Sequence, residues 1–197
     1  MAFDGYESEW IQTNSGIPQG SPISPILFLF FISELLEGMQ NVAEKQLGFG
    51  FIDDTNIITW SDSAQENCTR LEEAHKKCMD WSRRHGSKFA PDKYKLIHFT
   101  RRRRDPNGDL ASAIKIEGFS EEIKPETKLR VLGVWLDPKM NWKEHTKVAV
   151  GKGTAAFDAL SRIAATTWGP CLIRTRLLYT VIVRPAIVYG AHAWYTG

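Results

Sequence analysis

The sequence predicts an α+β protein, and three observations lead to this fold class. Two β-prone runs, residues 48–52 and 55–60, flank a pair of adjacent aspartates and indicate a hairpin. Apolar residues between Ala64 and Trp81 recur at helical spacing. From Asn141 onward the composition shifts to helix formers, which predicts a helical C-terminal part. At 197 residues the chain is long enough for one ordinary domain, or for one domain with a small appendage.

The composition, with 43 % apolar and 24 % charged residues, is that of a globular protein. The net charge is only +2, but residues 1–60 hold one basic and eight acidic residues, and the remainder carries a net charge of +9. A basic C-terminal portion suits a phosphate backbone as its partner, and an ordinary solvated surface is the alternative.

Cysteine usage and hydropathy bear on the compartment of the protein. The three cysteines form no C-x-x-C pair, which argues against a disulfide scaffold and a zinc ribbon. We therefore expect a reducing, intracellular location, in the nucleus or the cytoplasm. The longest apolar run, residues 26–32, is far shorter than the roughly 20 residues that cross a bilayer. No signal peptide opens the chain, so we expect no membrane partner.

A loop rich in proline and glycine, residues 15–25, runs directly into an apolar helix. Ser24 is predicted as the N-cap of this helix, with Pro25 at its first position. Residues 26–32 are apolar almost all round, so the helix is predicted to be buried on most faces. The loop offers free backbone N–H groups at the positive end of the helix dipole, which suits an anion; a rigid connector without a ligand is the alternative.

The aspartate pair, Asp53 and Asp54, is predicted to lie at or beside the bend of its hairpin. Adjacent carboxylates repel each other, so ionising both is costly unless a cation or hydrogen bonds offset the repulsion. Mg²⁺ suits such hard oxygen ligands, and two such ions are the usual apparatus of in-line phosphoryl transfer. A surface turn without a ligand is the alternative, because Asp is common in turns.

Two motifs carry a resemblance to a known family. Residues 16–28, which read G-I-P-Q-G-S-P-I-S-P-I-L-F, closely resemble motif B of reverse transcriptases, in the form found in non-LTR (LINE-like) retrotransposons. Phe51-Ile52-Asp53-Asp54 is similar to motif C, whose commonest form is Tyr-Ala-Asp-Asp. Phe51 lacks the tyrosine hydroxyl and Ile52 is bulkier than alanine, and both departures bear on how a primer end would sit.

The resemblance implies a fold and a set of site residues. Residues 1–140 would form a partial right-hand polymerase palm, an antiparallel sheet with packed helices, and residues 141–197 a helical, thumb-like subdomain. Asp53 and Asp54 would be catalytic and would hold Mg²⁺, with Mn²⁺ as a second possibility. The residues that would line the nucleotide and template pocket are Pro18, Gln19, Gly20, Ser21 and Phe51.

Two later segments are similar to motifs D and E of the family. Residues 87–99 are predicted as a strand after Pro91, and Lys93 aligns with the motif D lysine. The resemblance implies a catalytic role for Lys93 as the general acid that protonates the departing pyrophosphate. A solvated lysine is the alternative interpretation of Lys93, and Lys95 is the second candidate for the role. Residues 128–137 resemble motif E, the primer-grip hairpin, and a purely structural strand is the alternative interpretation. The primer-grip residues would be Leu132, Gly133 and Val134.

The C-terminal part is predicted to hold two helices. The first covers residues 142–165, and the second follows residues 168–170 and is expected to bend or end at Pro185. The resemblance assigns this region to a thumb that clamps the template–primer duplex through basic residues. The basic run 101–104 is either a further nucleic-acid patch or a solvated loop.

The resemblance implies part of an RNA-directed DNA polymerase that performs two-metal nucleotidyl transfer in the full enzyme. Its partners would be an RNA template, a DNA primer and a deoxynucleoside triphosphate. The sequence shows neither the fingers nor the earlier palm aspartate of the family, so we expect a missing N-terminal polymerase segment as a further partner. The chain alone is expected to be inactive. The alternative is a catalytically dead, truncated remnant, at most a non-specific nucleic-acid-binding module.

Overall fold

The computed structural model describes residues 2–3, 5–7, 16–103, 105, 108–116, 121–164 and 168–195. The strands are β1 (Ala2–Phe3), β2 (Tyr6–Glu7), β3 (Gln46–Phe51), β4 (Asp54–Thr59), β5 (Leu129–Val131) and β6 (Val134–Leu136). The α-helices are α1 (Ser24–Gly38), α2 (Ala64–His85), α3 (Lys143–Ile163), α4 (Leu172–Leu178), α5 (Arg184–Val188) and α6 (Ala191–Trp194). Two 3₁₀ turns, Pro91–Lys93 and Asp109–Ala111, and one π-helical turn, Tyr179–Val183, complete the list.

In the described ranges the strands form three separate antiparallel pairs, β1–β2, β3–β4 and β5–β6. Together with the six α-helices of those ranges they confirm the mixed α and β character that the sequence predicts. Within the described ranges, the pairs do not join into one continuous sheet, so the palm sheet implied by the resemblance is not confirmed. Across the same ranges, every helix is too short or too polar to cross a lipid bilayer.

Backbone contacts divide the chain into two compact units. The first comprises the residues up to Asp62 together with Arg70–Lys88, and the second comprises Ser63–Thr69 together with the residues from Phe89 onward. The division into a palm at 1–140 and a thumb at 141–197 rests on the family resemblance and stays a prediction.

The core of the first unit lies where the end of α1 meets β3 and the later part of α2. Leu35 and Met39 are buried there, and Met39 receives a hydrogen bond from the thiol of Cys78 at 3.8 Å between the two sulfurs. Gly48 of β3 packs so closely on Met39 that a Cβ at this position would overlap the Met39 side chain. Trp81 is also buried, with its ring centroid 5.1 Å from that of Phe31.

The prediction that α1 is buried on most faces was wrong. Only Ile32 and Leu35 of this helix are buried, and Phe30 is 75 % exposed. The reason is that only the C-terminal half of α1 packs on β3 and α2. Within the part of the chain that the structure describes, most apolar side chains up to Phe31 are exposed, although Phe31 also contacts Trp81. Those exposed residues are Ile26, Leu27, Leu29, Phe30 and Phe31.

The second unit is built on α3. Ala149 and Leu160 of this helix are buried, and so is Val183 in the π-helical turn. Gly153 lies against Ile187 of α5 with no room for a side chain between them. The helix predicted over residues 142–165 is confirmed as α3 with slightly narrower bounds, Lys143–Ile163, and residue 165 lies outside the described residues.

The predicted second helix does not end at Pro185, because helical structure continues to Val188. Regular α-helical hydrogen bonding ends at Leu178, and a π-helical turn leads into α5, where Pro185 occupies the first turn. Proline has no N–H, so it cannot complete the helical hydrogen-bond ladder at this point. A widened turn of this kind is one way in which a helix accommodates the missing donor.

The predicted strand over residues 87–99 was wrong. Pro91 opens a 3₁₀ turn instead, in which Lys93 N–H donates to the carbonyl of Ala90 at 3.1 Å. Beyond the turn, only Leu96 makes a strand-like bridge, to Pro125. The fixed φ of proline and its absent N–H favour the turn over a sheet ladder.

Candidate active site

The hairpin β3–β4 places the two aspartates at its bend, as predicted. Phe51 pairs with Asp54, so the loop is the two-residue segment Ile52-Asp53. Asp53 therefore lies in the bend, and Asp54 is the first residue of β4. Both are exposed, and so is Phe51. The bend thus presents two adjacent carboxylates to solvent, with a phenyl ring beside them.

The backbone at the bend is strained. Ile52 has φ of 55°, in the left-handed region, while Asp53 does not. A two-residue hairpin loop with positive φ at its first position usually has Gly there, because a β-branched residue meets steric resistance. Such strain costs on the order of 1–3 kcal/mol and persists only where the surroundings hold it. Strand pairing over six positions, from Gln46–Thr59 to Phe51–Asp54, supplies that support.

Ser24 forms two hydrogen bonds within the loop that resembles motif B. Its hydroxyl donates to the carbonyl of Pro18 at 2.6 Å, and the backbone N–H of Ser24 donates to the carbonyl of Ser21 at 3.2 Å. The prediction that Ser24 is the N-cap was wrong, since Ser24 is the first residue of α1 and Ile23 is the N-cap. The Ser24 hydroxyl bonds to the loop instead of to a helix N–H, so no side chain caps this helix start. Pro18, Gln19 and Gly20 are exposed, and Ser21 is half-buried.

The strand β3 packs across the C-terminal half of α1. The side-chain amide of Gln46 donates to the carbonyl of Met39 at 3.1 Å, and further along the strand Gly50 packs against Leu36. As β3 advances, its contacts therefore move toward the start of α1. Between Gln46 and Gly50 the strand advances about 13 Å, while its contacts move only from Met39 to Leu36, about 4.5 Å along the helix axis. The strand β3 therefore crosses α1 at a steep angle.

Lys93 lies at the end of the 3₁₀ turn in the second unit and is exposed. The next lysine, Lys95, forms an ion pair with Glu126 at 3.5 Å. The structure thus distinguishes the two lysines of this segment, since Lys95 has a carboxylate partner within hydrogen-bond range of its ammonium group. The general-acid role of Lys93 stays a prediction.

The segment that resembles motif E is a hairpin, β5–β6, also in the second unit. Val131 pairs with Val134, so the loop is Leu132-Gly133, with φ of 47° and 86°. Positive φ at both loop residues is the pattern of a type I′ turn, for which Asn-Gly is the preferred sequence. Leu132 is exposed, whereas Gly133 and Val134 are half-buried. The hairpin confirms the local structure that the motif implies, and contact with a primer stays a prediction.

Two residues that sequence reasoning did not single out hold this turn. The hydroxyl of Tyr189 donates to the carbonyl of Leu132 at 2.7 Å. His145 links two backbone groups. The N–H of Trp135 donates to Nδ1 of His145 at 3.3 Å, and Nε2 of His145 lies 3.2 Å from the carbonyl oxygen of Tyr189. Tyr189 stands 57 residues after Leu132 in the chain, so no local pattern connects them.

The bend of β3–β4 offers carboxylate oxygens to a divalent metal ion. Asp53 and Asp54 supply two exposed carboxylates, which matches the one or two that Mg²⁺ usually takes from a protein. Within the described ranges, no group of three or more His, Cys, Asp or Glu side chains is placed to hold a metal ion. The pair therefore fits an ion that completes its shell with water and substrate phosphate.

The fold and the site define an α+β protein with paired carboxylates at a hairpin bend and a glycine–proline loop ahead of the helix that packs on that hairpin. The profile of the reverse transcriptase (RNA-dependent DNA polymerase) family matches residues 1–136. The chain belongs to this family, and the resemblance to the polymerases of non-LTR retrotransposons is confirmed.

Curated relatives agree with this assignment. The chain is 27 % identical to the "Retrovirus-related Pol polyprotein from type-1 retrotransposable element R1" of Bradysia coprophila, over 91 % of its own length and 17 % of that protein. It is 24 % identical to the "Probable RNA-directed DNA polymerase from transposon BS" of Drosophila melanogaster, over 91 % of this chain and 20 % of the relative.

A third relative is the "RNA-directed DNA polymerase from mobile element jockey" of Drosophila melanogaster, 24 % identical over 98 % of this chain and 21 % of the relative. The chain thus spans about a fifth of the length of these relatives. No solved structure matches it.

Proposed function

We propose that this chain supplies the catalytic hairpin and the primer-contacting hairpin of an RNA-directed DNA polymerase that extends a DNA primer on an RNA template. The observation that carries the proposal is the bend of β3–β4, where Asp53 and Asp54 stand exposed and adjacent, in a chain whose first 136 residues match the family. Three relatives of the chain carry the name of an RNA-directed DNA polymerase or of a Pol polyprotein.

In this proposal each group of residues has a defined task. Asp53 and Asp54 hold Mg²⁺ or Mn²⁺, which when bound stabilises the charge that develops on the phosphate oxygens during nucleotidyl transfer. Gln19, with the backbone around Gly20, lines the pocket for the nucleotide and the template. Phe51 packs beside the primer terminus, and Lys93 donates a proton to the departing pyrophosphate.

The primer-contacting task falls to the turn of β5–β6. Leu132 is exposed at this turn, so its backbone is accessible to a nucleic-acid strand. Basic residues of the second unit would contact the duplex backbone in a salt-dependent manner. Those on α3, α4 and α5 are Lys143, Lys147, Lys152, Arg162, Arg174, Arg176 and Arg184.

Primer extension tests the proposal. The chain is combined with a primed RNA template, deoxynucleoside triphosphates and Mg²⁺, with and without a separately produced N-terminal polymerase segment of a relative. We expect no extension by the chain alone and extension when the segment is added, because two-metal chemistry requires carboxylates from more than one strand. Asp53→Asn should abolish the restored activity, and Glu73→Gln, which changes an exposed acid of α2 outside the proposed site segments, should leave it unchanged.

The competing function is that of a non-catalytic nucleic-acid-binding remnant. It is favoured by the exposed side chains of Arg101, Arg102 and Arg103. Under this alternative the chain binds RNA–DNA hybrids with a steep salt dependence, but no added segment restores extension. Restored extension that also survives Asp53→Asn would contradict the catalytic role of the hairpin.

A further inference from the structure

The turn Leu132-Gly133 has a conformation that its own sequence does not favour. Both φ angles are positive, and Leu has no local hydrogen bond to offset the steric cost of the left-handed region. A turn of this kind keeps its shape only if groups outside it hold it. The structure identifies those groups in the same compact unit, on α3 and at the end of α5.

Tyr189 holds the turn directly. Its hydroxyl donates to the carbonyl of Leu132 at 2.7 Å. Its ring lies against the face of Gly133, since a Cβ built at this glycine would lie 3.0 Å from Cε1 of the ring. One side chain therefore contacts both residues of the turn, one by a hydrogen bond and the other by packing.

His145 holds Tyr189 in turn. The imidazole is only 3 % exposed and bridges two elements, since its Nδ1 accepts the N–H of Trp135 on β6 and its Nε2 faces the carbonyl of Tyr189. Because Nδ1 is an acceptor here, Nε2 carries the proton and donates it. The indole N–H of Trp194 donates to the same carbonyl at 2.8 Å. The backbone of Tyr189 is thus fixed relative to the strand that leaves the turn.

We propose that Tyr189 and His145 are positioning residues that set the turn Leu132-Gly133 in the orientation required to contact the 3′ end of a primer strand. The inference rests on the proposed function of this hairpin. Two side chains outside residues 128–137 would thus determine the orientation of the turn. Neither residue touches the reacting atoms, so each acts through the turn.

The test measures preference for a primer end rather than affinity alone. Fluorescence anisotropy compares binding of the 197-residue chain to an RNA–DNA hybrid with a recessed DNA 3′ end and to a blunt hybrid of the same paired length. We expect the unmodified chain to prefer the recessed end, and Tyr189→Phe to reduce this preference by about threefold to tenfold, the effect of one lost hydrogen bond. A purely structural lesion would weaken binding to both duplexes equally.

Two further variants complete the design. Tyr195→Phe is the matched control, because this tyrosine is 70 % exposed. Among the described residues, Trp194 is the one aromatic ring that Tyr195 contacts. His145→Gln should reduce the preference in the same direction as Tyr189→Phe. The Gly133 amide resonance in ¹⁵N–¹H spectra should shift in Tyr189→Phe and stay in place in Tyr195→Phe.

The outcomes separate the two hypotheses. If the unmodified chain prefers the recessed end and Tyr189→Phe retains that preference, the positioning role is overturned while primer contact by the hairpin stands. If the unmodified chain binds both duplexes equally, primer contact by the hairpin fails, and the positioning role fails with it.

Discussion

The carboxylate of Asp109 accepts a hydrogen bond from the backbone N–H of Ala64 at 2.8 Å, although 45 residues separate the two in sequence. The N–H of Gln65 and the hydroxyl of Ser63 donate to the same carboxylate at 3.2 Å and 3.1 Å. The first N–H groups of a helix have no partner within the helix. Asp109 therefore caps α2 from a distant segment of the second unit and ties that segment to the helix start.

Removal of this cap should destabilise the protein in a pH-dependent manner. The hydrogen bond from Ala64 N–H, with those from Gln65 and Ser63 and the charge of Arg102, holds the pKa of Asp109 below its usual value of 3.8. A carboxyl group whose pKa is lowered by folding stabilises the folded state above its unfolded pKa, and this contribution is lost as the pH falls through the folded pKa.

We therefore expect Asp109→Ala to lower the melting temperature by a few degrees at pH 7, as loss of a helix cap typically does. The difference from the unmodified protein should shrink as the pH falls below 3.8. Thermal unfolding followed by circular dichroism from pH 7 down to pH 3 measures this, with Asp92→Ala as the control. A difference that stays constant over that range would rule out the carboxylate as its source.

Two glycines of α3 should respond in opposite directions to the same substitution. Gly151 is exposed and has open space around it, so Gly151→Ala should stabilise the helix by about 1 kcal/mol through helix propensity. A Cβ at Gly153 would overlap Ile187, so Gly153→Ala should destabilise by about 1–3 kcal/mol. Urea denaturation of both variants measures the two free energies of unfolding. Equal effects would show that α3 and α5 do not pack as described.

The three cysteines should differ sharply in reactivity. Cys171 is exposed, while Cys68 and Cys78 are buried. Burial also raises the pKa of Cys78 to about 11, so its thiolate form is scarce at pH 8. An aromatic disulfide reagent at pH 8 should therefore label one thiol per chain rapidly, and all three only in denaturant. Cys171→Ser should remove the rapid reaction, and rapid labelling that persists in this variant would contradict the burial of the other two.

The local elements were predictable from sequence where one pattern dominated. The β-prone runs around Asp53 and Asp54 are confirmed as β3 and β4, and the apolar spacing from Ala64 to Trp81 is confirmed as α2. In α2 the residues Ala64, Cys68, Cys78 and Trp81 are buried, as their helical spacing predicts, and in the hairpin the β-prone residues pair across the two strands. Because the two strands were predicted, the position of Asp53 and Asp54 at the bend between them could also be predicted.

The remaining features depend on partners far along the chain or on competition between local preferences. The burial of α1 was overpredicted because the hydrophobicity of a side chain shows only that burial would be favourable. Whether the side chain is buried depends on which other elements pack against the helix. The 3₁₀ turn at Pro91 replaced a predicted strand because proline outweighed the alternation that followed it. Asp109 and Tyr189 were missed because their partners lie 45 and 57 residues away. Sequence spacing alone does not disclose such contacts.

Metal binding by the β3–β4 bend can be tested without any enzymatic activity. Mn²⁺ is a paramagnetic substitute for Mg²⁺ and should broaden the amide resonances of residues 51–55 selectively. A carboxylate about 4 Å from a divalent ion in water contributes on the order of 2 kcal/mol of Coulomb attraction. Asp53→Asn and Asp54→Asn should therefore each weaken Mn²⁺ binding by roughly 30-fold, since each removes one negative charge from the bend.

The design includes its own checks. Excess Mg²⁺ should compete with Mn²⁺ and restore the sharp resonances, and EDTA should do the same by removing the ion. Asp92→Asn should leave the broadening unchanged, because Asp92 lies in the 3₁₀ turn at Pro91–Lys93 and not in the hairpin. The double variant Asp53→Asn, Asp54→Asn removes both carboxylates on which the proposed site depends. If the resonances of residues 51–55 are still broadened in this variant, the ion is bound by other ligands.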